Sequence, residues 1–139
     1  MIFTRREDWP HRLNAAIEAA RDKPFEWGEH DCLLFAASVV EQMTGVDPLA
    51  QWRGTYSTAH GALLALRRSG FKDIVEVFHS SLGPGLDSVL MAQRGDIVLY
   101  RDAEGRPGTG ICIGEAIAAV TPVGLGVIPL ADGLTAWRV

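Results

Sequence analysis

The sequence predicts an α+β fold, with N-terminal helices packed on an antiparallel sheet. Three observations predict it. Apolar residues recur at three-and-four spacing in the first half (Leu13, Ala16, Ile17, Ala20, then Ala62, Leu63, Leu66), as amphipathic helices require. From Arg94 onward, short β-prone runs alternate with Gly-containing turns, as in strands joined by hairpins. No internal repeat or low-complexity linker divides the chain, so residues 1–139 read as one domain.

The elements follow in order. Asp8 or Trp9 opens a first helix with Pro10 in its first turn, where a missing N–H does no harm. Asp22-Lys23-Pro24 ends it. Asp31 is a good N-cap for a second helix that runs from Cys32 to Met43 without Gly or Pro, closed by Gly45. That helix is apolar nearly all round (Leu33, Leu34, Phe35, Val39, Val40, Met43), which predicts a central, buried position. The segment Val46 to Trp52 reads as an irregular turn or short helix. Ser57 or Thr58 caps a third helix, which Arg67-Arg68 suits at its C-terminal end and Gly70 stops. Asp73 to Ser81 fits either a helix or a strand, and Gly83-Pro84-Gly85 is loop. Ile97-Val98-Leu99-Tyr100 is a strand, and Arg101 to Pro107 a polar turn. Gly110 to Gly114, Ala116 to Thr121 and Gly124 to Pro129 are further strands, with a last short one at Ala136 to Val139. The expected molecule therefore has three helices on a sheet of four or more strands.

At 139 residues the chain is long enough to bury a core, and 47% hydrophobic against 22% charged is the profile of a globular protein. A net charge of -4 argues against a nucleic-acid partner, which calls for a basic surface. No apolar run approaches the roughly 20 residues of a membrane span. Residues 1–8 lack the apolar core of a signal peptide, which predicts synthesis in a cytoplasm. The two cysteines, Cys32 and Cys112, make no disulfide framework. A bridge between them requires the second helix to start against the second strand, and a cytoplasmic origin argues against it. Ligand-type residues at metal spacing are absent, so neither metal nor cofactor is expected.

The stretch from Phe25 to Ala37 carries the chemistry. Trp27-Gly28 forms a break, Asp31 a cap, and Cys32 the predicted first helical residue. A thiol there faces unpaired N–H groups and the positive end of the helix dipole, which favours thiolate. A cysteine at a buried helix start also serves as a small apolar filler.

This arrangement resembles the active-site helix of the NlpC/P60 cysteine peptidases. Their pattern is roughly Pro-Tyr-x-Trp-Gly-Gly, a short gap, then Asp-Cys-Ser-Gly-Leu. Pro24-Phe25-Glu26-Trp27-Gly28 matches the first part and Asp31-Cys32-Leu33-Leu34 the second, with a shortened gap and Leu33-Leu34 for Ser-Gly. Gly95-Asp96-Ile97-Val98-Leu99-Tyr100 is similar to the family's Gly-Asp-Leu-Val-Phe-Phe strand. Thr109-Gly110-Ile111-Cys112-Ile113-Gly114 is similar to part of its His-Val-Gly-Ile-Tyr-Leu-Gly strand. The likeness runs from about Pro24 to the C-terminus and is nearest to divergent members encoded beside phage and prophage tail genes. It implies a reduced papain-like fold with Cys32 in the nucleophile position and Asp31 as helix cap and helper.

It also exposes a gap. A papain-like mechanism needs a base beside the thiol. Residue matching places Gly108 where the family has its histidine, and no histidine follows His79. His30 precedes Cys32 by two residues and is expected to point away; His60 falls in the third helix and His79 in the ambiguous segment; His11 is read as a surface residue. Trp9, Trp27, Trp52 and Trp137 are read as packing residues, with Trp27 and Trp52 as the alternative lining of a groove or partner interface. Trp52, Tyr56 and Phe3 are the candidate centre of such an interface. Asp96 is read as a turn residue, and Cys112 as core.

Three functions are expected from these readings. The first is a phage tail-associated structural protein, a virion component that contacts other tail-tip or hub proteins through a scaffold without catalysis. The second is an active cysteine peptidase or amidase that cuts peptidoglycan peptides during infection. The third, by fold analogy, is a peptidoglycan-binding module. The histidine-free sheet favours the first.

Overall fold

A computed structural model gives the structure, and it describes residues 3–139. Four helices precede a five-stranded sheet: α1 (Trp9–Arg21), α2 (Leu34–Thr44), α3 (Ala59–Arg68), α4 (Ile74–Leu82), then β1 (Ile97–Arg101), β2 (Pro107–Cys112), β3 (Ala116–Thr121), β4 (Gly124–Pro129) and β5 (Thr135–Trp137). The class is α+β. The strand order is β4-β3-β2-β1-β5, with every neighbouring pair antiparallel. Among the described residues, no helix is long and apolar enough to cross a membrane.

The local signals act as their chemistry requires. Thr58 accepts the Gly61 N–H and caps α3. Asp73 accepts the Glu76 N–H at 3.0 Å while Glu76 accepts the Lys72 N–H, a reciprocal cap that makes the ambiguous segment a helix. The expected count of three helices is thus one short. Gly45 closes α2 at φ 85°, a conformation that glycine adopts without a Cβ penalty. The second helix begins at Leu34, two residues later than expected, because Cys32 and Leu33 form a turn ahead of it. The strand expected at 110–114 begins instead at Pro107 and ends at Cys112.

Alternation along the strands divides the interior into two layers. Ile97, Leu99, Ile111, Ala118, Val120 and Trp137 face α2 and its neighbours in the main core. Val98, Cys112, Ile117 and Ala136 face the other way, under Leu86, Val89 and Leu130. Residues Leu34 to Ala37, Val39, Val40 and Met43 of α2 are all buried, the central position that its sequence predicts. Buried Asp96 ties the chain ends together. It accepts from Arg5 Nη2 at 3.1 Å, Arg138 Nε at 3.3 Å, Gln93 N at 2.8 Å and Val139 N at 3.1 Å. It is more than the turn residue expected.

Candidate functional site

The site is built where the chain enters α2. Glu26 and His30 bridge across a tight loop with Gly28 at its tip, at φ 87°. A Cβ on Gly28 would fall 2.0 Å from the Tyr56 carbonyl oxygen, so this close approach requires glycine. The Gly28 carbonyl in turn accepts the Gly54 N–H at 2.7 Å. Residues 54–56 thereby clamp the loop and bring Tyr56 to Asp31.

Asp31 is fully buried. One carboxylate oxygen accepts from Leu33 N (2.9 Å) and Leu34 N (2.8 Å); the other accepts from Gly28 N (2.9 Å) and the Tyr56 hydroxyl (2.7 Å). The expected capping role stands, although the helix proper starts later. Four charge-assisted bonds hold one rigid turn.

Cys32 follows in that turn. Its carbonyl accepts the Thr109 N–H at 2.7 Å, and the Thr109 hydroxyl donates to the Leu33 carbonyl at 3.2 Å. β2 pairs with β3 only at Ile111 and Cys112. Below that point the strands part, and the turn at Cys32 takes up the β2 edge. The thiol lines a cavity of about 340 Å³ with Trp27, Leu33, Leu63, Tyr100 and Val120.

This environment silences the thiol. Burial first, then the adjacent Asp31 carboxylate, push Cys32 up to about 12. Asp31 takes the N–H groups of Leu33 and Leu34, and what remains to favour thiolate, the Cys32 N–H and Arg106, does not offset burial. Burial, then nearby Cys32 and Asp102, also push Tyr100 up to about 12, and burial with Asp31 pushes Tyr56 up further. Both phenols stay neutral donors near pH 7 and take no proton.

Position 108 provides no base. Gly108 pairs with Tyr100 across the β1–β2 ladder, and a Cβ on it would fall 2.8 Å from Tyr100 Cζ and Oη. The tyrosine ring fills the space of a side chain there. Of the histidines, His11 is exposed on α1 and His30 is buried, edge-on to Phe35. His79 accepts the Trp137 indole N–H on Nδ1 at 3.2 Å. His60 lines the Cys32 cavity from α3. Among the described residues, the imidazole nitrogen that is hydrogen-bonded is His79 Nδ1, on the Trp137 indole, and no imidazole bond reaches Cys32.

The aromatic candidates separate. Trp27 stays half-buried in the cavity wall, edge-on to Phe25 with ring centroids 5.0 Å apart. Trp52 is a core residue, 5% exposed, edge-on to Phe71 with its indole N–H on Ser69 Oγ at 3.1 Å. That burial corrects its reading as a groove or interface residue. Tyr56 is spent on Asp31, and Phe3 packs partly buried on the main core. Cys112 faces the second layer and both cysteines are free, so no bridge joins them. Among the described residues, no group of three or more His, Cys, Asp or Glu is placed to hold a metal ion. Sequence reasoning missed Tyr100 and Thr109; the strand register, which pairs Tyr100 with Gly108 and Leu99 with Thr109, is the signal that finds them.

A family model described as a domain of unknown function, DUF6950, matches residues 4–139. No curated protein matches the chain.

Proposed function

Because the chain belongs to the DUF6950 family, whose function is unknown, we propose its role from the site: a non-catalytic binding domain on a reduced papain-like scaffold of NlpC/P60 type. In this reading it is a structural component of a phage tail, held in the tip or hub by contacts with other tail proteins. The observation that carries it is the pairing of Tyr100 with Gly108, which leaves position 108 without a base for the protonated Cys32 thiol. A cysteine held in this state does not attack a peptide bond. Support for the scaffold comes from the placing of Cys32 just ahead of a buried helix and against β2, as the resemblance implies.

Two features support binding. The Cys32 cavity is walled largely by apolar side chains, fit to take an apolar group of a partner. The sheet ends in two edge strands, β4 and β5. At β5 the edge is covered, since Leu86 donates its N–H to the Ala136 carbonyl at 2.8 Å. β4 carries no charged residue and exposes Val127, and among the described residues no backbone hydrogen bond from outside the sheet reaches its edge. An extended strand of a tail partner would pair there.

The second reading, an active peptidase or amidase acting on peptidoglycan, draws on His60, which lines the same cavity as Cys32. Particle composition and cleavage decide between the two. The structural reading expects the protein in purified particles and no Cys32-dependent cleavage of peptidoglycan stem peptides. Absence from particles together with Cys32-dependent cleavage overturns it.

A further inference from the structure

The Cys32 cavity holds a polar atom that no part of the chain uses. Tyr100 is 4% exposed and stands over Gly108 in the cavity wall. Among the described residues its hydroxyl makes no hydrogen bond, yet the unpartnered side-chain atoms without accessible surface are His30 Nε2 and Arg53 Nη2 alone. The Tyr100 oxygen therefore keeps accessible surface, against the cavity that the residue lines. A tyrosine hydroxyl normally finds a partner when its ring is buried, so this one points to a partner that the chain does not supply.

The rest of the lining narrows that partner. Phe25, Trp27, Leu33, Leu63, Ile74 and Val120 make the walls apolar, and Phe25 and Trp27 meet edge to face with centroids 5.0 Å apart. The volume of about 340 Å³ falls in the range of about 300–1,000 Å³ usual for small-molecule sites. The charges of the lining do not favour an anion. Asp73 and Asp102 stand against Arg106, which is already paired with Asp102 at 3.0 Å, and His60 is exposed on α3. Burial, then Cys32 and Asp102, push Tyr100 up to about 12, so near neutral pH its hydroxyl carries a proton to donate. The occupant is thus neutral and largely apolar, with one acceptor.

We propose that the Cys32 cavity binds a small neutral aromatic molecule with one carbonyl oxygen, which accepts from the Tyr100 hydroxyl while the ring packs among Phe25, Trp27 and Leu63. The inference rests on the reading of this cavity as a binding site without catalysis, and goes beyond it by naming the chemistry of the ligand. A ligand of the same shape without the acceptor leaves the phenol unpaired and binds more weakly.

Methyl-resolved NMR of the full chain tests this, read at Ile74 and Val120 in titrations into the millimolar range. The probes are acetophenone, isopropenylbenzene and benzoate. Isopropenylbenzene has a methylene group for the carbonyl oxygen, and benzoate a charged oxygen for the methyl group. Acetophenone should shift both residues. Isopropenylbenzene should bind about fivefold more weakly, the usual size of one neutral hydrogen bond, and benzoate more weakly still. Tyr100→Phe removes an oxygen that has no partner in the protein, so the variant should fold. It should weaken acetophenone by about fivefold and leave isopropenylbenzene unchanged. Leu63→Trp, which fills the cavity from α3, should abolish the shifts from both neutral probes. The proposal is overturned if acetophenone shifts neither residue, if isopropenylbenzene or benzoate binds as tightly, or if either variant leaves acetophenone binding unchanged. Cleavage of peptidoglycan stem peptides is followed in the same preparation. Cys32-dependent cleavage overturns the reading on which the proposal rests, whereas lost discrimination between the probes without cleavage overturns the proposal alone.

Discussion

Tyr100 stands over Gly108: the two are partners across the β1–β2 ladder, and a Cβ on Gly108 would fall 2.8 Å from the phenol oxygen. The glycine is thus more than a missing histidine. The neighbouring tyrosine occupies the volume in which a base would sit, so restoring the base requires the ring to shift.

The substitution Gly108→His should destabilise the protein by about 1–3 kcal/mol, the usual cost of overpacking, because the new side chain meets the Tyr100 ring. Tyr100→Ala should relieve part of that cost in the double variant. Urea unfolding of the two single variants and the double variant measures the coupling. Additive effects would place the tyrosine away from position 108.

Asp31 should matter more than Tyr56. Replacing Asp31 by Ala leaves the N–H groups of Gly28, Leu33 and Leu34 and the Tyr56 hydroxyl without their acceptor. A loss of about 2–4 kcal/mol is expected from the cap and the buried donors together. Tyr56→Phe removes one bond to a charged acceptor that keeps three others, and should cost about 1.5 kcal/mol. Denaturant midpoints give the ranking, and a costlier Tyr56→Phe would contradict it.

Breaking the Asp96 hub should be severe. Asp96→Ala removes a fully buried carboxylate that pairs Arg5 and Arg138 and accepts two backbone N–H groups. About 3–5 kcal/mol is expected when a buried pair loses one partner. Hydrogen exchange should show the loosening first at the N-terminal arm and the C-terminal residues, which the carboxylate joins.

Acid should weaken the fold through His30. Its folded-state value is lowered by burial and Lys23, so the unfolded chain takes up the proton more readily. Its contribution to stability is complete above the unfolded value of about 6.5 and falls as pH drops below it toward the folded value. Unfolding midpoints at pH 7.5 and pH 5.5 measure the slope. His30→Phe should flatten it over this window, and an unchanged slope would assign the acid sensitivity to other groups.

Much of the fold was legible because its signals are local. The caps at Thr58 and Gly45 and the strands β3 and β4 come straight from residue type and spacing. The α4 segment was not, because Ile74, Val75, Val77 and Phe78 satisfy both periods until the Asp73–Glu76 cap decides for a helix. The start of β2 was hidden too: Pro107 reads as the end of a polar turn and the strand as starting at Gly110, while the added residues are held by β1 and by the Cys32 carbonyl. The candidate site divides in the same way. Asp31 and Cys32 were readable as cap and thiol, but the state of the thiol was not. It depends on where the Asp31 carboxylate sends its bonds, on the burial of Cys32, and on a tyrosine 68 positions away in sequence. Trp52 misled because an aromatic on an irregular segment gives no sign that Phe71 and Ser69 will enclose it.

The central claim is that Cys32 is held as an inert thiol, and labelling by a thiol-reactive probe across pH tests it most directly. Mass spectrometry of the peptides separates Cys32 from buried Cys112. Labelling of Cys32 near neutral pH should be far slower than that of an ordinary thiol, rising only as pH approaches the value of about 12 to which its surroundings push it. Rapid labelling at pH 7 that follows a value well below about 8.5 would show an activated nucleophile and contradict the account.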